Sequence, residues 1–231
     1  MGKLDTPLYK LSAEDQNRVY EPAEDSFLLL DALEDELNAI QRLRPLLTVE
    51  IGPGSGIVIS ALSKALGSAC GFYLGVDINP HACRITGETA RMNCPGCQVE
   101  VINMNLLAGF NSGLVDLLIF NPPYVPTSEV STETELEEQI DQFAEKGHDL
   151  VKSWAGGLDG MAVTNKVLRD LDRLMSPNGV FYLLLLKENK PDEVKARLEA
   201  NGFRMKIVKE RKVRGEHLFV VRITRNPDGN S

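Results

Sequence analysis

Leu46-Leu47-Thr48-Val49-Glu50-Ile51-Gly52-Pro53-Gly54-Ser55-Gly56 decides the fold. An apolar run of this length that stops at glycines reads as a buried strand, too short for a helix. The residues from Gly56 to Leu66 read as a helix, so the glycines occupy a strand-to-helix turn. Glycine there lets the chain turn tightly and lets bare backbone approach a ligand. Working outward, further strands are predicted at Phe72–Asp77, Gln98–Asn103, Val115–Phe120, Gly179–Leu186, Phe203–Glu210 and Glu216–Thr224. Helices are predicted over Pro80–Met92, Gly160–Met175 and Pro191–Asn201, with Asn178-Gly179 and Asn201-Gly202 as stops for the last two. Ahead of them Leu30, Leu33, Leu37 and Ile40 share one face of a helix over Glu24–Leu43, just after Pro22. Alternating strands and helices predict an α/β fold, a parallel sheet covered on both faces. The last two strands are joined by a short Lys/Arg/Gly connection and therefore pair antiparallel.

A chain of 231 residues suffices for one domain with a sizeable core. The formal charge of −8 disfavours non-specific nucleic-acid binding. Met1–Gln16 lacks the apolar stretch of a secretory leader. Phe27–Leu30 and Phe181–Leu186 are too short to span a bilayer, so no membrane is expected. Four cysteines without a leader are expected as reduced thiols, which places the chain in the cytoplasm, with the nucleus as a second location. Cys94-Pro-Gly-Cys97 has the spacing of a zinc knuckle, and His81 and Cys83 lie nearby. A closed zinc site needs four ligands, so this reads as a turn with ordinary thiols and no metal is expected. Residues 1–18 are expected to be a flexible N-terminal segment, 19–225 the catalytic domain and 226–231 a disordered tail. Residues 127–154 form an insertion, and Ser128–Glu145 within it holds seven acidic residues and no Lys or Arg. Leu136, Ile140 and Phe143 recur there at helical spacing, which reads as a solvated amphipathic helix. A lid or acidic docking segment is the alternative.

The chemistry gathers at three strand ends. The glycine spacing is G-x-G-x-G with Pro53 inside it, not the G-x-G-x-x-G of dinucleotide binding, which disfavours hydride transfer. Asp77 ends the second strand, where a carboxylate can accept both hydroxyls of a ribose. Asn79 can cap the next helix, which frees Asp77 for a ligand. Asn121-Pro122-Pro123-Tyr124 ends the fourth strand. A planar NH₂ group is a poor nucleophile because its lone pair is delocalised. The Asn121 side-chain oxygen and the Pro122 carbonyl can each accept one of its hydrogens and aim the nitrogen at a methyl donor. The two prolines stiffen the loop, and Tyr124 offers a flat face for stacking. Asn121, Pro122 and Tyr124 are thus the candidate catalytic residues, with Pro123 completing the substrate loop.

With these residues in view, the chain resembles the HemK-type glutamine methyltransferases of the class I fold. It is most similar to the eukaryotic branch of catalytic subunits that modify the Gly-Gly-Gln glutamine of the class-1 translation release factor. The likeness extends to Val19-Tyr20-Glu21-Pro22-Ala23-Glu24-Asp25-Ser26-Phe27 and to Trp154-Ala155-Gly156-Gly157-Leu158-Asp159-Gly160-Met161. It implies a single-domain, Rossmann-like, seven-stranded sheet of order 3-2-1-4-5-7-6. It implies S-adenosylmethionine as cofactor and S-adenosylhomocysteine as product. Ser26 and the preceding acidic turn, Glu24-Asp25, would close over the methionine end, Glu50 and Gly52 would line the same site, and Tyr20 would belong to the cofactor-binding set. Gly54, Gly56 and Asn121 border the same site, and Asp77 holds the ribose. Ile78, Asn105 and Leu106 complete the implied cofactor-binding set, with Asn105 at the adenine. Asn105 stands where family members often have Asp, so an uncharged acceptor would meet the adenine amino group there.

Other functions share these motifs. An adenine-N6 methyltransferase uses the same Asn-Pro-Pro-Tyr, although acidic charge and the lack of a target-recognition domain speak against it. Lysine or small-molecule methylation, or a non-catalytic cofactor-binding scaffold, are the remaining alternatives. The resemblance also implies a heterodimer with a small zinc-binding methyltransferase activator protein, and the release factor as substrate, without direct nucleic-acid contact. Strand 98–103 is an edge in the implied order, and Val99, Val101 and Ile102 give it high strand propensity. The activator is therefore expected to dock there by strand addition.

Overall fold

A computed structural model describes residues 3–67, 71–96, 98–127, 156–213 and 215–227. The acidic stretch Ser128–Glu145, with its predicted helix, lies outside the described residues, as do residues 228–231 of the expected tail.

The elements run α1 (Glu24–Leu43), β1 (Leu47–Ile51), α2 (Ile57–Leu66), β2 (Phe72–Asp77), α3 (Pro80–Asn93), β3 (Val99–Asn103) and β4 (Val115–Phe120). After the insertion come α4 (Ala162–Leu174), β5 (Met175–Leu186), α5 (Pro191–Ala200), β6 (Phe203–Val213) and β7 (Glu216–Arg225). The seven strands lie in the order β3-β2-β1-β4-β5-β7-β6. β1 to β5 pair in parallel, and β7 joins β5 and β6 antiparallel. The predicted architecture, including the antiparallel final hairpin, is therefore observed.

Side chains alternate across the sheet, and each face has its own core. Tyr182, Leu184 and Leu186 of β5 pack with Leu28, Leu29 and Leu33 of α1 and Ile59 and Leu62 of α2. Phe181, Leu183 and Leu185 point the other way, onto Val167 and Leu171 of α4 and Val194 and Leu198 of α5. Each such fully buried side chain stabilises the fold by roughly 1.5–3 kcal/mol. The two-sided burial explains why the central strands read as unbroken apolar runs.

Three sequence expectations are corrected. Residues 3–18 are not a free segment but are packed along α1 and α3. The Leu4 amide donates to Glu34 Oε2 (2.7 Å), and Leu8 exchanges two bonds with the Asn93 side chain (2.9 and 2.7 Å). Leu11 packs on Val19, Ala82 and Ile85, and Asp15 is paired with Arg84. The segment is held by single apolar anchors and polar side chains of distant elements, so it carries no periodicity of its own. The second correction concerns Asn178-Gly179. They do not end a helix but lie inside β5, in a bulge where the register with β4 shifts. A Cβ on Gly179 would lie 2.8 Å from the Val115 carbonyl oxygen, so the glycine serves that close approach. Cys94, at the end of α3, is disulfide-bonded, which corrects the thiol reading there. Spacing alone does not report oxidation state.

The glycine turn is fixed by backbone geometry. Gly52, Gly54 and Gly56 have φ of 62°, 55° and 78°. A Cβ on Gly56 would lie 2.7 Å from the Thr86 Cα of α3, whereas nothing lies within 4 Å of one on Gly54. Both Gly→Ala substitutions carry the left-handed cost of about 1–2 kcal/mol. Only Gly56→Ala must also push α2 and α3 apart. Urea unfolding should therefore show Gly56→Ala clearly less stable than Gly54→Ala; equal losses would mean that the close approach is not a constraint.

Candidate functional site

The carboxyl ends of β1, β2 and β4 face one cavity of about 600 Å³. Its wall includes Tyr20, Asp25 and Ser26 from the start of α1, the Gly52–Ser55 turn, Asp77 and Ile78. Met104, Asn105 and Leu106 follow β3, and Asn121, Pro122 and Pro123 follow β4. This is the crevice where open α/β sheets bind ligands. Nearly all the sequence-predicted residues thus come together.

Two do not form the wall. Gly56 lies beneath the turn against Thr86, whose hydroxyl donates to the Gly54 carbonyl (3.1 Å). Tyr124 turns back toward α1. Its ring packs on the core of that face and its hydroxyl reaches Asp25 Oδ2 (3.3 Å). Conversely, Arg18, His81 and Lys166 line the cavity without having been predicted. Arg18 arrives because the N-terminal segment is packed down, and its guanidinium lies 3.0 Å from His81 Nε2. No local pattern marks these three, which are ordinary polar residues in their own segments. Asp25, which the resemblance places in the acidic turn over the methionine end, also lines the cavity and reaches Asn121 and Tyr124 of the loop after β4, contacts that no local pattern announces.

Two buried carboxylates set the electrostatics. Glu50 is 3% exposed, and its Oε2 accepts from the Ile59 amide at the start of α2 (2.8 Å). Burial pushes its pKa up to about 8; the Ile59 amide opposes this, and the nearby Asp77 adds to it. Asp77 accepts from the Asn79 amide (2.9 Å) and the Gly54 amide (3.3 Å), and burial raises its pKa as well. Asn79 caps α3 through the His81 amide (2.9 Å), as the sequence predicts. Neither carboxylate has an ion-pair partner among the described residues. Such a pair suits a ligand that brings its own positive charge and hydroxyl donors.

The Asn-Pro-Pro-Tyr loop is braced from behind. Asn189, at the end of the β5 segment, donates through Nδ2 to the Tyr124 carbonyl (3.0 Å) and the Asp159 carbonyl (2.8 Å). A Cβ on Gly160 would lie 1.9 Å from the Tyr124 oxygen, and one on Gly156 would lie 2.6 Å from the Pro123 oxygen. The glycines of the Gly156–Met161 stretch are thus required by close backbone approach. In front, Asn121 Nδ2 donates to Asp25 Oδ2 (2.9 Å), while Asn121 Oδ1 is buried with no partner among the described residues. An orphaned buried acceptor costs about 1–3 kcal/mol, so in a cavity wall it marks a place for a donor. Burial first, and then the Asp25 charge, hold the Tyr20 and Tyr124 phenols protonated well beyond the ordinary range.

Asn105 is exposed on the open side of the cavity, beside Leu106, whose φ of 50° is unusual for a leucine. Asn103 supports that side by donating to the carbonyls of Asp77 (2.9 Å) and Ile78 (2.8 Å).

No family model matches the chain. It is 36% identical over 213 residues to methyltransferase HEMK2 of Homo sapiens, covering 90% of each chain. It is 36% identical over 233 residues to the eRF1 methyltransferase catalytic subunit mtq2 of Schizosaccharomyces pombe, covering 96% of each. Among solved structures it is similar to the E. cuniculi Mtq2–Trm112 complex, described as responsible for methylation of the eRF1 translation termination factor. The TM-score is 0.63 at 27% identity, covering 90% of this chain and 99% of that one.

The buried carboxylates make the ligand-free protein sensitive to pH. The folded chain keeps a proton on Glu50 up to about pH 8, while the unfolded chain releases it near the ordinary value of 4.5. Between these values the unfolded state binds fewer protons, so stability falls as pH rises through the window. Asp77 contributes with the same sign. Glu50→Gln should flatten the fall: its thermal midpoint should exceed the wild type's by a margin that grows up to about pH 8 and then holds. Parallel curves for the two proteins would remove Glu50 as a buried titrating group.

Proposed function

The chain belongs to the HEMK2/Mtq2 family of methyltransferases, and from that premise we propose that it methylates the side-chain amide nitrogen of a protein glutamine, using S-adenosylmethionine. The acceptor is the Gly-Gly-Gln glutamine of the class-1 translation termination factor. The observation that carries this reading is the cavity-lining Asn121, whose buried Oδ1 has no partner among the described residues, beside two carboxylates that have no ion-pair partner among them.

The residues fit the cofactor. When bound, S-adenosylmethionine supplies an electrophilic methyl group on a sulfonium sulfur. Asp77 presents a carboxylate to the ribose hydroxyls. Glu50 and the Gly52–Ser55 backbone line the adjoining part of the cavity, where a positive charge would draw the proton off Glu50. Tyr20 and Ser26 close the α1 side. Ile78, Asn105 and Leu106 form the flank for the adenine, with the Asn105 amide as an uncharged acceptor.

The chain's own contribution to catalysis is positional. A glutamine amide shares its lone pair with its carbonyl, so it must be held with that lone pair pointing at the methyl carbon. Asn121 Oδ1 and the Pro122 carbonyl accept its two N–H bonds. Pro122 and Pro123 cannot relax, because Gly160, Gly156 and Asn189 fill the space behind them. Fixing orientation in this way removes entropy from the barrier.

The activator docks on β3. Among the described residues β3 pairs with β2 alone. The Tyr73 amide donates to the Gln98 carbonyl and the Met104 amide to the Asp77 carbonyl. By the alternation of a parallel ladder, the amides of Val99, Val101 and Asn103 then face outward. α3 packs against β3, and Ile102 on this edge strand is 43% exposed. A small zinc-binding activator of the Trm112 kind adds a strand here.

Two predictions follow from these roles. Mass spectrometry of the termination factor, after incubation with the chain, the activator and cofactor, should show one methyl group on the glutamine. Asn121→Ala should abolish most of that turnover with cofactor binding little changed by calorimetry. Asp77→Ala should weaken the cofactor first. Loss of cofactor binding in step with activity for Asn121→Ala would reassign that residue to the donor side. For the interface, hydrogen exchange should show the Val99, Val101 and Asn103 amides gaining protection when the activator is added, with β6 at the far edge unchanged. Protection gained only elsewhere would place the partner off this strand.

A further inference from the structure

Asn121 has a symmetry problem that its own motif does not solve. Its amide carries a donor end and an acceptor end of nearly the same shape, and a half-turn about the last side-chain bond exchanges them. Only one orientation suits an acceptor nitrogen that carries N–H bonds. The other would set one NH₂ group against another. Something outside the loop must choose.

Asp25 makes that choice. It stands in the first turn of α1, 96 positions away in sequence, and is 3% exposed. Its Oδ1 accepts from the Ser26 amide (2.7 Å) and the Tyr20 hydroxyl (3.2 Å). Its Oδ2 accepts from Asn121 Nδ2 (2.9 Å) and the Tyr124 hydroxyl (3.3 Å). A carboxylate only accepts, so it takes the nitrogen of Asn121 and repels the oxygen. Oδ1 is thereby driven to the opposite side, where it is buried and unpartnered. The two phenols complete the ring of donors. Helix capping does not account for the arrangement, since the carboxylate faces the loop after β4 and takes from its own helix only the adjoining Ser26.

We propose that Asp25 is a positioning residue, which fixes the Asn121 amide so that Oδ1, and not Nδ2, meets the acceptor nitrogen. This rests on the reading of the cavity as a site for methylating an N–H acceptor. It adds that the orientation of the acceptor is written in α1 and read out through one hydrogen bond. Tyr20 and Tyr124 serve the same end by holding the carboxylate in place.

A reciprocal exchange tests it. Asp25→Asn keeps the shape but offers Asn121 a donor, which lets the amide turn over. The rate at saturating cofactor should fall about 100-fold, with cofactor affinity and thermal midpoint unchanged. Asn121→Asp alone sets two carboxylates against each other and should also be inactive. In the double variant the new amide at position 25 donates to one oxygen of the new carboxylate at position 121. The other oxygen then faces the acceptor, and the rate should recover about 10-fold over the better single variant. A merely structural Asp25 predicts no such recovery. A double variant no faster than the single ones, or wild-type rate in Asp25→Asn, would overturn the proposal. A second readout needs neither cofactor nor acceptor. In ¹⁵N-labelled ligand-free protein the Asn121 side-chain NH₂ should exchange slowly, and quickly in Asp25→Ala and Asp25→Asn. Equal exchange in all three overturns the proposal by itself. Failure of the wild type to methylate the termination factor would instead count against the functional reading, and leaves the exchange measurement decisive for Asp25.

Discussion

Polar groups without partners, buried where the central strands end, are what the rest of the molecule has to accommodate. Glu50 and Asp77 lie within one cavity without counter-charges among the described residues, and Asn121 Oδ1 lies in its wall without a donor. Each costs free energy that a folded chain would ordinarily avoid. The apolar layers on the two faces of the sheet offset that cost. The arrangement is stable because the sheet is large and the unfavourable groups are confined to one rim of it.

Confinement depends on rigidity around the rim. The turn after β1 is clamped to α3 by backbone contact, and the loop after β4 is backed by two glycines and Asn189. α1 is held against the final hairpin by Arg211 with Glu24 and Asp31, and by Arg222 with Glu36. Exposed pairs of this kind contribute little individually, but several along one helix help fix its rotation. That rotation sets where Asp25 stands relative to Asn121.

Most of the sheet was legible in the sequence because its signals are local. Strands such as Phe72–Asp77 and Val115–Phe120 are apolar runs with clear stops, and α1 has its apolar face in register from the first turn. Asp77 and Asn121 were legible because a polar residue closing an apolar strand has few structural reasons to be there. The exceptions share a physical cause. The N-terminal segment is fixed by Asn93, Arg84 and Glu34, which lie 30 to 85 positions away from the residues they hold. The Asp25–Asn121 bond spans 96 positions. A single long-range hydrogen bond leaves no periodic trace. Asn178-Gly179 misled for the opposite reason, since a strong local signal for a helix stop serves a bulge in a strand once the neighbouring Val115 carbonyl is present.

The clamp between Gly56 and Thr86 has a further consequence for how such a site can change over time. Beneath the turn that lines one side of the cavity, Gly56 lies against the Thr86 backbone and leaves no room for a side chain at that position. The opposite side, at Ile78 and Asn105, is exposed and answers to side chains alone. Variation is therefore channelled to the exposed flank, one residue at a time. The glycine turn, in contrast, is inherited whole or lost with the packing of two helices. The Asn found at position 105 sits on the side where the fold tolerates experiment.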